Sequence, residues 1–452
     1  MDELLNEASV RAQRYLAGLD RRGVAPTPEA LADLIKLDGP LPDEPTHPTL
    51  VLDQLDTFGS PATVATAGPR YFGFVTGGAL PAALAANWLA GSWDQCGWMY
   101  VTSPVIATLE EITLRWLFDV LGLPATCGGA FVTGATMANF SALAAARHHL
   151  LQQVGWDVEA DGLFGAPPVA VIVGEEAHPS VLKALGLLGF GRQRVIKVPV
   201  DEQGRMRAES LPVISGPTIV CLQAGNVNTG AFDPAYEIIP RAHDAGAWVH
   251  VDGAFGLWAA VSPAHAYLVR DYGEADSWVA DAHKWLNVPY DSGLVFLRDP
   301  AALRAAMSTS AAYMPLEENR DPGQFTPEAS RRGRSIEIWA ALRSLGRSGL
   351  TNLIERTCRY AHYFAEGLQS AGYPILNDVV LNQVLVSFGD EAMTRRVVEA
   401  IQRDGTCWCG STVWQGQTAM RISISSWATT EADIVQSLAA VLRIAREQRA
   451  AR

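Results

Sequence analysis

Between residues 169 and 297 a series of short apolar runs recurs: Val169-Ala-Val-Ile-Val, Arg194-Val-Ile-Lys-Val, Thr218-Ile-Val-Cys-Leu, Trp248-Val-His-Val, Ser277-Trp-Val-Ala and Gly293-Leu-Val-Phe-Leu. Strands with one face in water alternate apolar and polar residues. These runs hardly alternate, as expected of strands covered on both faces, and helical stretches lie between them. The pattern predicts an α/β fold with a mainly parallel sheet. With 452 residues, 48% of them hydrophobic, the chain can bury a large core and form more than one domain.

Flanking segments differ in character. Residues 1–65 combine an amphipathic stretch with Pro-rich linkers such as Pro40-Leu-Pro-Asp-Glu-Pro45, the composition of an arm that packs on a partner. After residue 300 comes a polar, Pro- and Gly-bearing stretch, about 308–333, expected to be a mobile loop. A helical run from Ser335 to about Ser370 follows. Within 371–452, Val379 to Phe388 and Met420-Arg-Ile-Ser-Ile-Ser alternate like strands, and Glu431 to Arg449 is periodic like a closing helix. The expected organisation is an arm (1–65), a large domain (66–370) and a smaller C-terminal α+β domain (371–452).

A net charge of -13 argues against nucleic acid as a partner. The longest apolar stretch, Ala79 to Ala90, contains Pro81 and Asn87 and is too short to span a bilayer. The acidic start Met1-Asp-Glu-Leu-Leu-Asn-Glu lacks the basic and apolar regions of a signal peptide. Six cysteines without metal-ligand spacing suggest reduced thiols, hence a cytoplasmic protein with no metal site.

Chemistry concentrates around His283-Lys284. The chain has four lysines, Lys36, Lys183, Lys197 and Lys284, against 31 arginines. Arginine cannot deprotonate to act as an amine nucleophile. Lys284 can form a Schiff base with pyridoxal 5'-phosphate (PLP), and Asp252, in Val-His-Val-Asp-Gly-Ala, can hold the pyridine nitrogen protonated. Taken alone, Lys284 is equally a solvated lysine and Asp252 a turn former. Gly128-Gly-Ala-Phe-Val-Thr-Gly134-Ala-Thr-Met-Ala-Asn139 carries an apolar run through a Gly-rich turn into a helix, where backbone N–H groups and the Thr136 hydroxyl form a phosphate site or an ordinary tight turn. It does not match the dinucleotide pattern Gly-x-Gly-x-x-Gly. His178 follows a predicted strand, where it is either a polar residue closing the strand or an imidazole able to stack on a flat ring.

Ordered together, Gly134-Ala-Thr, Ala177-His178, His250-Val-Asp252-Gly-Ala254 and His283-Lys284-Trp285 resemble the PLP-dependent group II amino-acid decarboxylases. Gly68-Pro-Arg-Tyr-Phe-Gly-Phe74 and Arg331-Arg-Gly-Arg-Ser-Ile-Glu-Ile-Trp339 agree, so the resemblance covers about 65–430. It implies PLP-dependent transferase fold type I and a homodimer with active sites at the subunit interface. It further implies that Lys284 is the internal-aldimine lysine, that His178 stacks on the ring, that Asp252 pairs with its nitrogen, and that Ala254 packs on the opposite face. Ala135, Thr136 and His283 would hold the phosphate.

The resembling enzymes carry a proton-donating Tyr on a mobile loop, and Tyr313 matches it; its alternative is a packing aromatic. Phe74, Val75, Cys96 and Trp98 fall where the aromatic enzymes line their side-chain site, and Asn226 falls near the substrate carboxylate, where relatives often have Thr. Asp281 replaces an Asn close to the phosphate and is not assigned as a ligand. The resemblance implies decarboxylation of an L-amino acid, aromatic by its apolar wall, to the amine and carbon dioxide. Alternatives are an aldehyde synthase or aminotransferase on the same fold, an acidic amino-acid decarboxylase, or a binding protein without turnover.

Overall fold

A computed structural model of the chain describes residues 1–309 and 319–451. The apolar runs form strands because β-branched and aromatic side chains fit a pleated surface that is covered on both sides. Seven strands make the large sheet: β1 (Gly128–Val132), β2 (Ala170–Gly174), β3 (Ile196–Val198), β4 (Thr218–Gln223), β5 (Trp248–Asp252), β6 (Ser277–Asp281) and β7 (Gly293–Leu297). Their order is β1-β7-β6-β5-β4-β2-β3. Strands β6, β5, β4, β2 and β3 pair in parallel, and β7 runs antiparallel to both β6 and β1. Every residue of β4 to β7 is buried, as the absence of alternation predicts.

One face of this sheet is covered by the helix Ala135–Gln153. Its Ala138, Ala142, Leu143, Ala145 and Ala146 are buried against Val171, Val173, Ile219, Val279 and Val295. The run of alanines lets the helix lie close to the strands, and close packing of small side chains fixes its rotation. Polar residues elsewhere on that helix, such as Asn139, are buried with it.

Two compact units divide the chain: Ala79–Ala361 with Asn377–Gln383, and Met1–Gly78 with His362–Leu376 and Val384–Arg452. The large sheet lies in the first. In the second, residues 1–65 fall together with most of 371–452, and the helical run Ser335–Ser370, broken at Gly346, contributes to both units.

The second unit contains, apart from Gln383, the sheet of β8 (Gln383–Val386), β9 (Gly410–Trp414) and β10 (Gln417–Ser423), in the order β8-β10-β9. Leu19, Val24, Ala65 and Tyr71 form a small core there with Trp408. Arg70 holds it from three sides: Nε donates to Thr406 O (2.8 Å), Nη1 to Asp433 Oδ1 (2.9 Å) and Nη2 to Asp20 O (2.8 Å). By contrast the helix Asp2–Gly18 buries none of its residues. Among the described residues no helix is long and apolar enough to cross a membrane.

Candidate active site

Parallel strands end on the same side of their sheet, and loops that follow those ends converge. Asp252 is the last residue of β5, Asp281 the last of β6, and His178 follows β2. Strand β1, antiparallel to β7, delivers the start of the helix Ala135–Gln153 to the same side. A Cβ on Gly293 would collide with the backbone of Gly134. Glycine there lets β7 and the helix start approach each other.

Lys284 and His283 meet at Asp281. Lys284 Nζ lies 3.1 Å from Asp281 Oδ2, and His283 Nε2 lies 3.7 Å from the same oxygen. The other oxygen, Oδ1, accepts from Ala135 N at 2.7 Å, a carboxylate placed at the positive end of a helix. Burial lowers the basicity of His283, so its ring is neutral and its approach to Asp281 is not an ion pair. His283 Nδ1 accepts from Ser292 N at 3.0 Å, which puts the ring proton on Nε2, facing the carboxylate. The His283 ring lies 4.5 Å from that of Tyr290.

Asp252 is buried among donors. Oδ1 accepts from Ala254 N (3.2 Å), and Oδ2 accepts from Asn139 Nδ2 (3.3 Å) with Ser180 Oγ at 3.5 Å. Ala254 O in turn accepts from Asp281 N at 2.8 Å, so one short loop connects the two carboxylates. His178 caps the helix Pro179–Leu187: its Nδ1 accepts from Ser180 N at 3.2 Å and lies 2.7 Å from Ser180 Oγ. Behind Asp252, His250 Nε2 lies 2.8 Å from Asn139 Oδ1, and Nδ1 lies 2.9 Å from Ser277 Oγ. Burial drives the His250 imidazole down to about 4, so it too is neutral.

Thr136, the second residue of its helix, is half-buried. Met137 N and Ala138 N both bond to Gly134 O, and among the described residues nothing bonds the Thr136 N–H or hydroxyl. The structure thus gathers Ala135, Thr136, His178, Asp252, Ala254, His283 and Lys284 around the strand ends of one unit.

Other expected residues are placed differently. Asn226 is buried and holds its own loop: Nδ2 donates to Gln223 Oε1 (3.0 Å), and Oδ1 accepts from Asn228 N (2.8 Å) and Thr229 N (3.2 Å). Trp98 packs on Gly323, whose N–H donates to Trp98 O at 2.7 Å. Cys96 bridges to Arg332. Both therefore tie the segment before residue 100 to the one after 320. Phe74 and Val75 belong to the other unit and take left-handed backbone, φ 55° and 58°. Such values are strained for a bulky or β-branched residue. Val75 is buried, whereas Phe74 is 60% exposed, with its ring 5.7 Å from Trp408 and under the Arg421 guanidinium, also at 5.7 Å. Tyr313 lies outside the described residues.

Asn139, Ser180, Ser277 and Arg421 were not anticipated, nor was a role for His250 beyond its motif. One signal was available: residues two apart on a strand share a face, so His250 and Asp252 had to point the same way. Asn139 and Ser180 come from helices, and their meeting depends on how those helices pack.

Residues 28–388 match the family described as pyridoxal-dependent decarboxylase conserved domain. The aromatic-L-amino-acid decarboxylase of Bacillus atrophaeus is 25% identical over 402 residues, 84% of this chain and 82% of its own. The L-2,4-diaminobutyrate decarboxylase of Rhizobium meliloti is 30% identical over 385 residues, 80% of this chain and 74% of its own. The crystal structure of Oryza sativa TDC with PLP and tryptamine shares the fold, with a TM-score of 0.90 at 22% identity over 99% of this chain and 97% of that one. With a family match over most of its length and that family's fold, this chain belongs to the pyridoxal-dependent decarboxylases and is a PLP-dependent amino-acid carboxy-lyase of fold type I.

Proposed function

We infer that Lys284 is the attachment point of PLP and that the substrate is an aromatic L-amino acid, released as its amine after loss of carbon dioxide. The observation that carries the assignment is the pair of buried carboxylates at adjacent strand ends. Asp281 holds the lysine, and Asp252, with neutral donors on both oxygens, is free to meet a cation. The residues fit the cofactor chemically: an amine for its aldehyde, a carboxylate for its ring nitrogen, and an unpartnered N–H and hydroxyl at Thr136 for its phosphate. When bound, PLP supplies an electron sink for the bond broken at Cα.

Each side chain then has a task. Asp252 would keep the ring nitrogen protonated, and His178 and Ala254 would hold the ring between them. Thr136 would hold the phosphate through its N–H and hydroxyl, with Ala135 and the neutral His283, whose own N–H groups face Asp281, lining the same site. Asp281 orients Lys284 while accepting from Ala135 N. Tyr313 delivers a proton from its Oη to the carbon that has lost carbon dioxide, a step that needs exclusion of bulk water.

The aromatic preference is supported by the apolar side chains at Phe74, Val75 and Trp98, positions that line the side-chain site in the resembling aromatic enzymes. Arg70, the arginine closest in sequence to that wall, is fully engaged with Thr406, Asp433 and Asp20, which counts against reading an acidic side chain there. Asn226 acts by shaping its loop. Exposed apolar residues of the N-terminal segment, among them Leu5, Val10, Leu31 and Ile35, support a homodimer, because such surface is normally covered in an assembly.

Carbon dioxide release should be measured over L-tryptophan, L-tyrosine, L-phenylalanine, L-aspartate, L-glutamate and L-2,4-diaminobutyrate. The aromatic acids are expected to lead, and preference for an acidic or diamino substrate overturns that choice. Borohydride should fix PLP on the peptide containing Lys284, and Lys284→Ala should abolish the labelling. For Tyr313→Phe, amine formation is lost while PLP is retained; unchanged amine production removes Tyr313 as proton donor.

A further inference from the structure

A line of buried polar side chains runs from the core of the large sheet to Asp252. Trp248, His250 and Asp252 alternate along β5 and so face the same way. The parallel register sets Ser277 of β6 beside His250. The helix Ala135–Gln153 lies on this face, bringing Asn139 to His250 and His149 to within 5.1 Å of the Trp248 ring. Asn139, His250 and Ser277 are completely buried, so each of their polar groups must find a partner inside the protein.

Donor and acceptor capacities then fix the direction of every bond. The Trp248 indole N–H can only donate, and it donates to Ser277 Oγ at 2.9 Å. The Ser277 hydroxyl hydrogen goes on to His250 Nδ1, 2.9 Å away. Burial keeps His250 neutral. A neutral imidazole that accepts at Nδ1 carries its proton on Nε2, which donates to Asn139 Oδ1 at 2.8 Å. The Asn139 amide is thereby set with Nδ2 toward Asp252 Oδ2 (3.3 Å) and Ser180 Oγ (3.2 Å). Flipping that amide would place its oxygen against the carboxylate and its NH2 against the imidazole N–H.

We propose that His250 is a positioning residue, which through Asn139 keeps a donor aimed at Asp252 and so holds that carboxylate oriented toward the cofactor's ring nitrogen. The proposal rests on Asp252 being the partner of that nitrogen. Asn139 also touches Ser180, which bonds His178, so the effect that passes through Asp252 is the part specific to the ring nitrogen.

Apoenzyme should be titrated with PLP and with its 1-deaza analogue, in which a C–H replaces the ring nitrogen, while bound-cofactor absorbance is followed. His250→Phe is expected to weaken PLP about tenfold and the 1-deaza analogue less than about twofold. His250→Gln, whose amide can still donate to Asn139, should restore most of the PLP affinity. Ser277→Ala, a smaller change, should weaken PLP selectively by about threefold, and it decides the matter if circular dichroism shows His250→Phe to be unfolded. Wild-type PLP affinity in these variants, or equal loss for both ligands, overturns the relay. Asp252→Ala separates the two levels. If it too weakens both ligands equally, the assignment of Asp252 fails; if it discriminates and the His250 variants do not, only the relay fails.

Discussion

Asp281 places one carboxylate oxygen 3.1 Å from Lys284 Nζ and gives the other to the first N–H of a helix, Ala135 N, at 2.7 Å. A strand end, a helix start and the amine are thus fastened through one nearly inaccessible side chain. The carboxylate is matched by the half-buried lysine and the helix terminus.

Asp281→Ala leaves both the ammonium and the amide without their acceptor. Unfolding of apoenzyme in urea should show a loss of about 2 to 3 kcal/mol, below the upper range for a broken buried pair because Lys284 still reaches water. Asp281→Asn keeps an oxygen for Ala135 N and should lose about 1 kcal/mol. Equal losses in the two variants would mean that the cap bond contributes nothing.

Gly323→Ala probes the expected substrate wall. A Cβ at this position would land on the Trp98 indole, so the ring must rotate or the segment shift. With L-tryptophan as substrate, KM is expected to rise about tenfold, with kcat changed much less and cofactor absorbance unaltered. If kinetics stay at wild-type values while Trp98 fluorescence shows the ring has moved, Trp98 does not line the side-chain site.

The parallel sheet was legible because β4 to β7 are buried throughout, and burial on both faces leaves a run of apolar residues that no amphipathic strand would carry. The positions of Asp252 and His178 at or after strand ends, and of Lys284 shortly after one, were legible from those runs, whereas their roles rested on the resemblance of the ordered motifs. Asn139 and Ser180 were not: each is an ordinary polar residue in a helical stretch, and only the packing of two helices on one sheet face brings them to Asp252. Nor could spacing show that Asn226 turns inward to bond Gln223 and two loop amides. The grouping of residues 1–65 with the C-terminal segment rests on long-range bonds such as those of Arg70 to Asp20, Thr406 and Asp433, which no local pattern encodes.

Glu110 is the anion between Arg320 and Arg331, both within the stretch 308–333 expected to be a mobile loop, whose described part is thereby anchored in the interior. Its Oε1 lies 2.7 Å from Arg331 Nη1 and its Oε2 lies 3.3 Å from Arg320 Nη1, with Glu110 and the Arg331 side chain inaccessible to solvent. Arg331 also donates to Gly97 O (2.9 Å) and Phe131 O (2.7 Å), and Arg320 to Gly129 O (2.6 Å). Removing the carboxylate in Glu110→Ala strands two cations in the interior, so thermal and urea unfolding should show a loss of about 3 to 5 kcal/mol. The double change Glu110→Leu with Arg331→Met removes both partners of the closer pair, and should recover part of that loss; a further loss instead would show that the backbone bonds of Arg331 dominate.

His250 should make the protein sensitive to mild acid through the unfolded state. Its imidazole is held at about 4 in the folded chain by burial, against about 6.5 when exposed. Below pH 6.5 the unfolded chain takes up a proton that the folded chain refuses until about 4, so stability falls as pH drops through this window and is unaffected above it. The slope is about 1.4 kcal/mol per pH unit and the total about 3 kcal/mol. Asp233 works in the opposite sense. Burial raises its carboxyl to about 6, so it binds a proton in the folded chain before the unfolded one does, and stability rises as pH drops from about 6 to 4. The two slopes oppose each other in the wild-type curve. The difference in unfolding free energy between wild type and His250→Gln isolates the histidine: it should be flat from pH 8 to 6.5 and then move against the wild type down to about pH 4. A difference independent of pH across that window would mean that His250 is already protonated in the folded protein, and nitrogen-15 NMR of the labelled imidazole would then show both ring nitrogens carrying hydrogen.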